Sequence, residues 1–464
     1  MQRIMKKYLL LLLLFASGKS HAQSGIADNW FFGVLCGMKF SATTTNAIPS
    51  AMYTNEGCAG ISDSLANPLF YTDGVTVWNG YNQPMPNGTG LMGAPSSTQS
   101  ALIVPDPGSS SQYYIFTVTE IGGPDGFRYS KVDMTLQSGS GDVTAVKNVP
   151  VKSDVTEKLT AVKRPGGGYW IAVHENNSDA FYVYELTASG LSAPVVSNVG
   201  IVHNNSAIQN TYGQMKFNTC GTMLALAVGY LDVIELFHFD NTTGIVSSPV
   251  SLPMSDHVYG VEFSVDGRYL YASCYDPLAT LVQFDITAGS ASAILASQTV
   301  LSTTPDIYGL QIANNEKIYV CKSFSQYMGT IESPGLAGLA CNYIDANVFL
   351  DPNFTGATSA LSLPGFVTSF IGAEGPCFAT SSVDEAETPE SILVAPNPSV
   401  LQFSINLKND QSAIYIYDAA GRLVEHHEKI IAGNFKFGSR LEPGIYTIVV
   451  TEKGKSTHQQ IVKL

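Results

Sequence analysis

The sequence predicts an all-β protein, and three observations support this fold class. Strand–turn–strand segments recur along the middle of the chain, and three of them contain Tyr-Gly at residues 212, 259 and 308, which are 47 and 49 residues apart. Few segments beyond the N-terminus show the periodicity of an amphipathic helix. Near the C-terminus, apolar and aromatic residues alternate over Ile414–Asp418, as expected for a strand.

The N-terminal residues 1–22 have the features of a secretory signal peptide. Basic residues precede an apolar run from Tyr8 to Ala16, and small residues lie near position 22, where cleavage would occur. The run of about ten apolar residues is too short to cross a bilayer. A buried N-terminal helix is the alternative. No later segment approaches ~18 uninterrupted apolar residues, so we expect no transmembrane segment in the mature chain.

Six hairpins are predicted in the middle of the chain. They lie at 59–71, 101–116, 159–171, 212–226, 259–271 and 308–320. A third strand follows several of them and ends in an acidic residue and a threonine, as in Phe284-Asp285-Ile286-Thr287, where the acid should bind backbone donors of the turn. A fourth, weaker strand is expected at segments such as 195–199 and 294–299. A four-stranded unit repeated every ~40–50 residues is typical of a β-propeller blade.

The predicted propeller spans residues 28–371, which gives each of seven blades about 49 residues. Since six hairpins are visible, we expect the seventh blade to be shared between the ends, with residues 29–33 paired to 366–371. Such closure would remove exposed sheet edges. Tandem β-sandwiches are the alternative, but they would not give hairpins at so even a period.

Three segments of this region together form a recognisable pattern: 70–79, 84–90 and 97–105. They resemble a propeller-like region of uncharacterised secreted Bacteroidetes proteins, and the resemblance extends over most of 29–371. It implies the fold and no known activity.

The C-terminal residues 392–464 form a separate small β-module, predicted to be a β-sandwich. It contains Pro396-Asn397-Pro398, the strand-turn Ile414–Val424 and the strand Leu441–Val450. These motifs resemble the C-terminal sorting domain of the type IX (Por) secretion system of Bacteroidetes. The resemblance implies recognition by that machinery, export through the periplasm and across the outer membrane, removal of the domain, and release or surface attachment. Residues 372–391, rich in Ser, Thr, Glu and Pro, are predicted to be an exposed linker.

Charge and cysteine content limit the functional classes. The net charge is −14; without residues 1–22 it is −18, and the part between residues 23 and 391 carries −20. A negative body argues against nucleic-acid binding and permits cations, sugars or basic partners, or it serves solubility alone. Seven cysteines fit an oxidising environment, with Cys36–Cys58 or Cys341–Cys377 as candidate disulfides. Cys220 reads as a core residue, and no spacing suggests a zinc site.

The candidate binding site comes from the residues that precede or begin each innermost strand. In a propeller these positions surround the central channel on one face. The candidate ligand-binding residues are Glu56, Gln99, Glu157, Lys158, Tyr212, His257, Tyr259 and Tyr308. Tyrosines beside hydrogen-bonding groups suit a sugar or a peptide. Alternatively, each Tyr-Gly is only a packing device between blades. The long connection 80–97 is expected on the same face.

No catalytic residue is predicted. His174, His203 and His257 could each act as a general base, but the pattern favours solvated loop residues at all three positions. The sequence lacks a nucleophile elbow, a metalloprotease motif and a phosphate loop, and no cofactor or metal is expected. We expect a non-enzymatic binding protein for glycan or protein. The alternatives are an extracellular propeller enzyme acting on carbohydrate or another polymer, and a structural surface component.

Overall fold

The computed structural model describes residues 25–41, 44–204, 210–276, 279–353, 355–371, 394–418, 422–452 and 455–464. These residues belong to two compact units, one before and one after residue 380, which are described separately. The predicted signal peptide (1–22) and linker (372–391) lie outside the described residues. None of the described helices is long and apolar enough to cross a membrane.

The described part of the first unit contains seven antiparallel sheets in chain order, numbered 1 to 7 here. Sheet 1 has β1 (Asn29–Phe32), β2 (Val34–Phe40) and β3 (Thr45–Tyr53), and sheet 2 has β4 (Ala59–Ser62), β5 (Pro68–Thr72), β6 (Thr76–Asn79) and β7 (Pro84–Thr89). Sheet 3 has β8 (Ala101–Pro105), β9 (Gln112–Val118), β10 (Phe127–Asp133), β11 (Asp142–Val143) and β12 (Val149–Lys152). Sheet 4 has β13 (Val155–Lys163), β14 (Tyr169–Glu175), β15 (Ser178–Thr187) and β16 (Gly190–His203).

The remaining three sheets each have four strands paired in sequence order. Sheet 5 has β17 (Met215–Phe217), β18 (Met223–Val228), β19 (Val233–Asp240) and β20 (Ile245–Pro253). Sheet 6 has β21 (Val258–Phe263), β22 (Tyr269–Cys274), β23 (Leu281–Asp285) and β24 (Thr299–Ser302). Sheet 7 has β25 (Ile307–Ile312), β26 (Ile318–Lys322), β27 (Tyr327–Ile331) and β28 (Tyr343–Phe349).

The seven sheets follow one another in a circular order. The first strand of each sheet contacts the first strand of the next, from β1 through β4, β8, β13, β17 and β21 to β25. Sheet 7 then packs back on sheet 1: the Tyr319 ring lies 5.5 Å from that of Trp30, and Asn314 Nδ2 donates to Asp28 Oδ1 at 2.6 Å. The first strands therefore surround a common centre.

Residues 355–371, named the central segment, cross this centre. Thr358 forms an antiparallel bridge to Val34, and further along Gly365 and Val367 form parallel bridges to the first strands of sheets 2 and 4. The Phe366 ring lies 6.0 Å from the ring of Trp30. Apolar side chains on several sheets thus bury the segment, which ends in a 3-10 helix at Thr368–Phe370.

The predicted pairing of residues 29–33 with 366–371 is wrong. β1 pairs with β2, with Trp30 opposite Met38, and sheet 1 has three strands of its own. The residues at 366–371 instead lie across the inner strands, because Phe366 and Val367 find apolar partners at the centre.

The six predicted hairpins are present as the first two strands of sheets 2 to 7. The predicted turn chemistry is also found: Asp285 Oδ1 accepts hydrogen bonds from the backbone N–H and the hydroxyl of Thr287. Two expectations were wrong. Residues 291–296 form helix α1 (Ala291–Ala296), capped by Ser290, because the alanine-rich segment follows a capping serine. The connection 80–97 contains strand β7 at Pro84–Thr89.

The cysteines are mostly buried thiols. Cys36, Cys58, Cys274, Cys321 and Cys341 are free, so the candidate disulfides Cys36–Cys58 and Cys341–Cys377 are wrong. The Cys36 thiol donates to the carbonyl oxygen of Phe32, four residues earlier across the β1–β2 turn, and to that of Thr358, and packing holds it there. Cys220 was predicted to be a core thiol and is disulfide-bonded. Cys377 lies outside the described residues.

The second unit consists of two sheets with a shared core. The smaller sheet pairs β29 (Phe403–Leu407) with β32 (Gly433–Phe437), and the larger has the order β31 (Leu423–Ile430), β30 (Ser412–Asp418), β33 (Gly444–Glu452), β34 (Lys455–Lys463). Phe403 and Ile405 of the smaller sheet are buried with Ile416 and Ile448 of the larger one. This arrangement is a small two-sheet sandwich, as the alternating pattern predicts.

Candidate functional site

One face of the first unit carries a group of aromatic side chains from sheets 5, 6 and 7. We name this group, Tyr212, Tyr230, His257, Tyr259, Tyr275 and Tyr308, the tyrosine cluster. Most members lie just before, at the start of, or just after the first two strands of their sheets. Because the first strands are neighbours around the centre, these positions from successive sheets meet.

The ring distances show that the cluster is continuous. Tyr308 stacks on Tyr275 at 5.3 Å and meets Tyr259 edge-on at 5.4 Å. Tyr212 lies 6.4 Å from Tyr259, and its hydroxyl is 2.6 Å from that of Tyr275. Tyr230, which is 42% exposed, lies 5.6 Å from Tyr212. Such spacings are typical of favourable aromatic contacts, and Tyr212, Tyr275 and Tyr308 each remain partly exposed.

Histidine 257 joins the cluster at its rim. Its ring meets Tyr230 edge-on at 4.5 Å, and its Nδ1 lies 2.6 Å from Asp232 Oδ1. The carboxylate fixes the orientation of the imidazole and provides a negative charge beside the exposed tyrosine.

The floor of the cluster is polar. Tyr259 is only 4% exposed, and its hydroxyl has no hydrogen-bond partner with acceptable geometry among the described residues. Burial, and then the negative charges of Glu56 and Glu157, raise the pKa of Tyr259, and the side chains of Glu56 and Thr98 are the polar neighbours of its hydroxyl. Burial, and then the negative charge of Glu157, raise the pKa of the half-buried Glu56 to about 8. At neutral pH Glu56 is therefore mainly a neutral carboxylic acid that can donate a hydrogen bond.

The other half of the predicted ring is buried and bonded to the backbone. Glu157 Oε2 accepts hydrogen bonds from the N–H and hydroxyl of Thr98, both at 2.8 Å, and Oε1 accepts from the N–H of Ile121. Lys158 is fully buried and donates to the carbonyl oxygens of Thr211 and Tyr212. Burial raises the pKa of Glu157 and lowers that of Lys158 to about 7.

Gln99 is also a structural clamp. Its Oε1 accepts from the N–H groups of Met215 and Leu159, and its Nε2 donates to the Met215 carbonyl. One amide thus joins the first strands of sheets 4 and 5. Of the eight predicted residues, the structure brings Tyr212, His257, Tyr259, Tyr308 and Glu56 together, and it places Gln99, Glu157 and Lys158 inside the ring of strands.

Two of the candidate histidines are also buried. The rings of His174 and His203 stack at 3.9 Å, and neither is exposed. Burial lowers the pKa of His174 to about 3 and that of His203 well below its ordinary value. Glu235 Oε2 lies 3.9 Å from His203 Nε2, and burial raises the pKa of Glu235 to about 7. The interpretation of these histidines as solvated loop residues is wrong, because both side chains pack between strands of sheets 4 and 5.

Two cluster residues were missed by the sequence reasoning. Tyr275 follows β22 and Tyr230 lies in the 3-10 helix Gly229–Leu231, outside the repeated Tyr-Gly positions. Tyr275 directly follows the second strand of its hairpin. The sequence could have predicted from this position that Tyr275 lies near the tyrosines at the start of the first strands. Tyr230 depends on a short helix that the repeat does not predict.

A second concave surface lies between sheets 3 and 4. This groove, of 770 Å³, is lined by Tyr129, Tyr182, Lys131, Lys152 and neighbouring backbone. Both lysines are already engaged, Lys131 with Asp106 at 2.7 Å and Lys152 with Glu175 at 2.6 Å. Within the ranges that the structure describes, no group of three or more His, Cys, Asp or Glu side chains could hold a metal ion.

Comparisons with known proteins identify the second unit. Residues 393–464 match the family of secretion system C-terminal sorting domains, one residue inside the predicted start. The predicted type IX sorting domain is thereby confirmed, and the protein is exported to the cell surface or the extracellular space. No curated protein matches the chain.

Several solved structures share distant likeness with the chain. A candidate 6-phosphogluconolactonase from Bacteroides uniformis is 13% identical, with 70% of this chain and 98% of that one covered and a TM-score of 0.44. A Lactobacillus plantarum protein is 14% identical, with 75% and 98% covered and a TM-score of 0.43. A Desulfotomaculum acetoxidans protein of unknown function is 10% identical, with 73% and 99% covered and a TM-score of 0.41. Likeness at this level assigns no function.

Proposed function

We propose that this exported protein is a binding protein that recognises its ligand through the tyrosine cluster. The observation that carries the proposal is the continuity of the cluster: Tyr212, Tyr230, Tyr275 and Tyr308 lie within contact distance of another ring, and each remains partly exposed. Aromatic rings with polar tips beside hydrogen-bonding groups suit a sugar or a peptide. Binding without catalysis is the simplest use of such a surface.

The scaffold we propose is a closed seven-bladed β-propeller at residues 28–371. The circular order of the sheets and the contact of sheet 7 with sheet 1 support it. The central segment fills the middle, so the ligand would bind at the mouth and would not enter a channel. We also propose that residues 372–391 are the linker at which the sorting domain is removed.

The test is a glycan and extracellular-protein binding screen on the chain without its signal peptide, residues 23–464. Tyr308→Ala and Tyr275→Ala should abolish a saturable hit. Tyr129→Ala, in the groove between sheets 3 and 4, is the matched control, since it also removes a half-buried tyrosine. Loss of binding in the control alone would move the site to the groove. Unchanged binding in all three variants would contradict the proposal.

One observation favours an enzyme as the second candidate. Glu56, with a pKa of about 8, is half-buried beneath the tyrosine cluster and could protonate a leaving group at neutral pH. A hydrolase acting on an extracellular polymer would use it as a general acid. Glu56→Gln keeps the shape and removes the proton donor, so polymer turnover should fall about 100-fold or more while binding persists. Absence of turnover in the native protein, on every polymer bound in the screen, would leave binding alone.

A further inference from the structure

Acidic side chains surround the tyrosine cluster. Asp276 follows Tyr275 directly, Asp306 precedes Tyr308 by two residues, and both are exposed. The Asp276 carbonyl accepts a hydrogen bond from the His257 N–H at 2.7 Å, which places this loop at the rim. Burial first, and then the negative charges of Asp306, Asp276 and Glu56, raise the pKa of Tyr308. With Asp232 on His257, negative charge reaches the cluster from sheets 5, 6 and 7.

Asp232 is paired with His257, whereas the carboxylates of Asp276 and Asp306 have no such partner among the described residues. In the part of the chain that the structure describes, no Lys or Arg forms an ion pair with Asp276 or Asp306. The Lys158 amino group next to Tyr212 is buried and donates to the carbonyl oxygens of Thr211 and Tyr212. The body of the protein also carries −20 between residues 23 and 391, which attracts positive ligands at a distance.

A buried hydroxyl lies beneath the rings. The Tyr259 hydroxyl forms no well-aligned hydrogen bond among the described residues, and its ring contacts both Tyr212 and Tyr308. Its polar neighbours are the side chains of Glu56 and Thr98. A buried hydroxyl without a well-aligned partner is costly in the unliganded protein, and a ligand with hydrogen-bond donors would improve its bonding.

We propose that the tyrosine cluster binds the cationic side chain of a basic extracellular peptide. The inference rests on the proposed function and names its ligand class. The ammonium of lysine or the guanidinium of arginine would contact the faces of Tyr308, Tyr275 and Tyr230, where the ring quadrupole attracts positive charge. Asp276 and Asp306 would lie at the rim as counter-ions. A peptide fits better than a free cation, because several basic side chains can use the wider negative surface.

The test uses residues 23–464 and two synthetic probes, a lysine-rich peptide and the same peptide with every lysine acetylated. Calorimetry should show that the native protein binds the charged peptide at least about tenfold more tightly, equivalent to ~1.4 kcal/mol. Asp276→Asn with Asp306→Asn should weaken the charged complex about tenfold. Glu316→Gln with Glu442→Gln removes the same formal charge at exposed positions elsewhere and should change affinity less than twofold.

The outcomes separate this inference from the proposed function. Equal affinity for both peptides, with loss in Tyr308→Ala, would overturn the cationic assignment and keep the tyrosine cluster as the site. Binding of a deacetylated amino-sugar oligomer in place of the peptide would overturn the peptide assignment. If neither probe nor any ligand of the screen binds at the cluster, both proposals fail. If the two double variants weaken binding of the charged peptide equally, the effect comes from the net charge of the protein, and a local site at the cluster is contradicted.

Discussion

The predicted ring has a polar half, on sheets 3 and 4, and a tyrosine half, on sheets 5, 6 and 7. Residues of the two halves have similar positions in the repeat, but their side chains make different contacts. Just before the first strand of sheet 3 and near the start of that of sheet 4, Gln99 and Glu157 point inward and bind backbone N–H groups of neighbouring segments. Before or at the start of the first strands of sheets 5, 6 and 7, the partly exposed Tyr212 and Tyr308 contact the buried Tyr259 and form a cluster with it. The position in the repeat therefore fixes where a residue lies relative to its strand. It does not fix whether the side chain binds backbone groups inside the unit or packs against other aromatic rings.

The difference follows from where each half places its backbone clamps. In the tyrosine half the clamps lie two or three residues later: Gln214 Oε1 accepts from the N–H groups of Val261 and Leu310. Glu262 Oε2 likewise accepts from Ile312 N–H and pairs with Lys216 at 2.8 Å. Because Gln214 and Glu262 join the inner strands, the tyrosine side chains are not needed to bind the backbone of neighbouring strands.

The largest effect is expected when a clamp of the polar half is removed. Glu157→Ala deletes the acceptor of three hydrogen bonds and leaves the buried N–H and hydroxyl of Thr98 without that acceptor. The free energy of unfolding, measured with urea, should fall by about 3 kcal/mol or more. Glu120→Ala, at an exposed position next to Ile121, should change it by less than ~0.5 kcal/mol. Similar small losses in both variants would show that Glu157 is not a clamp.

A second pair of variants compares the clamps of the two halves directly. Gln99→Leu and Gln214→Leu each remove a buried amide that bonds inner-strand backbone from two sheets. Each should lower the free energy of unfolding by about 2 kcal/mol. A lower free energy of unfolding in Gln99→Leu with no change in Gln214→Leu would mean that contacts between rings, and not Gln214, hold the tyrosine half together.

A pH experiment tests the boundary between the halves at Glu56. Its pKa in the folded state is about 8, raised from 4.5 by burial and by Glu157. The folded protein thus binds more protons than the unfolded chain between pH 4.5 and 8, and Glu56 lowers the stability as the pH rises through this window. Glu56→Gln cannot ionise, so its stability relative to the native protein should increase from pH 4.5 to pH 8. A constant difference across that range, measured by urea unfolding, would contradict the raised pKa.

Much of the fold could be predicted from local patterns, whereas the centre and half of the site could not. Hairpins such as 259–271 depend on neighbouring residues and a turn at Asp266-Gly267, which the sequence displays. The path of the central segment depends on apolar contacts such as Phe366 with Trp30, which are distant in sequence. Tyr212, Tyr259 and Tyr308 could be found from the repeat. The inward direction of Glu157 could not, because the groups it binds belong to other loops.

The smallest effect concerns a single hydroxyl and decides between packing and binding. Tyr259 and Tyr271 are both buried in sheet 6. The Tyr271 hydroxyl donates to the Pro334 carbonyl at 2.8 Å, whereas that of Tyr259 lies beside Glu56 and Thr98 and forms no well-aligned hydrogen bond among the described residues. Tyr271→Phe should therefore cost about 1 kcal/mol, and Tyr259→Phe should be neutral or slightly stabilising. The same Tyr259→Phe protein should bind the ligand more weakly, since the hydroxyl forms no well-aligned bond in the unliganded protein and can bond to a ligand. A destabilised Tyr259→Phe with unchanged affinity would return this tyrosine to packing between sheets.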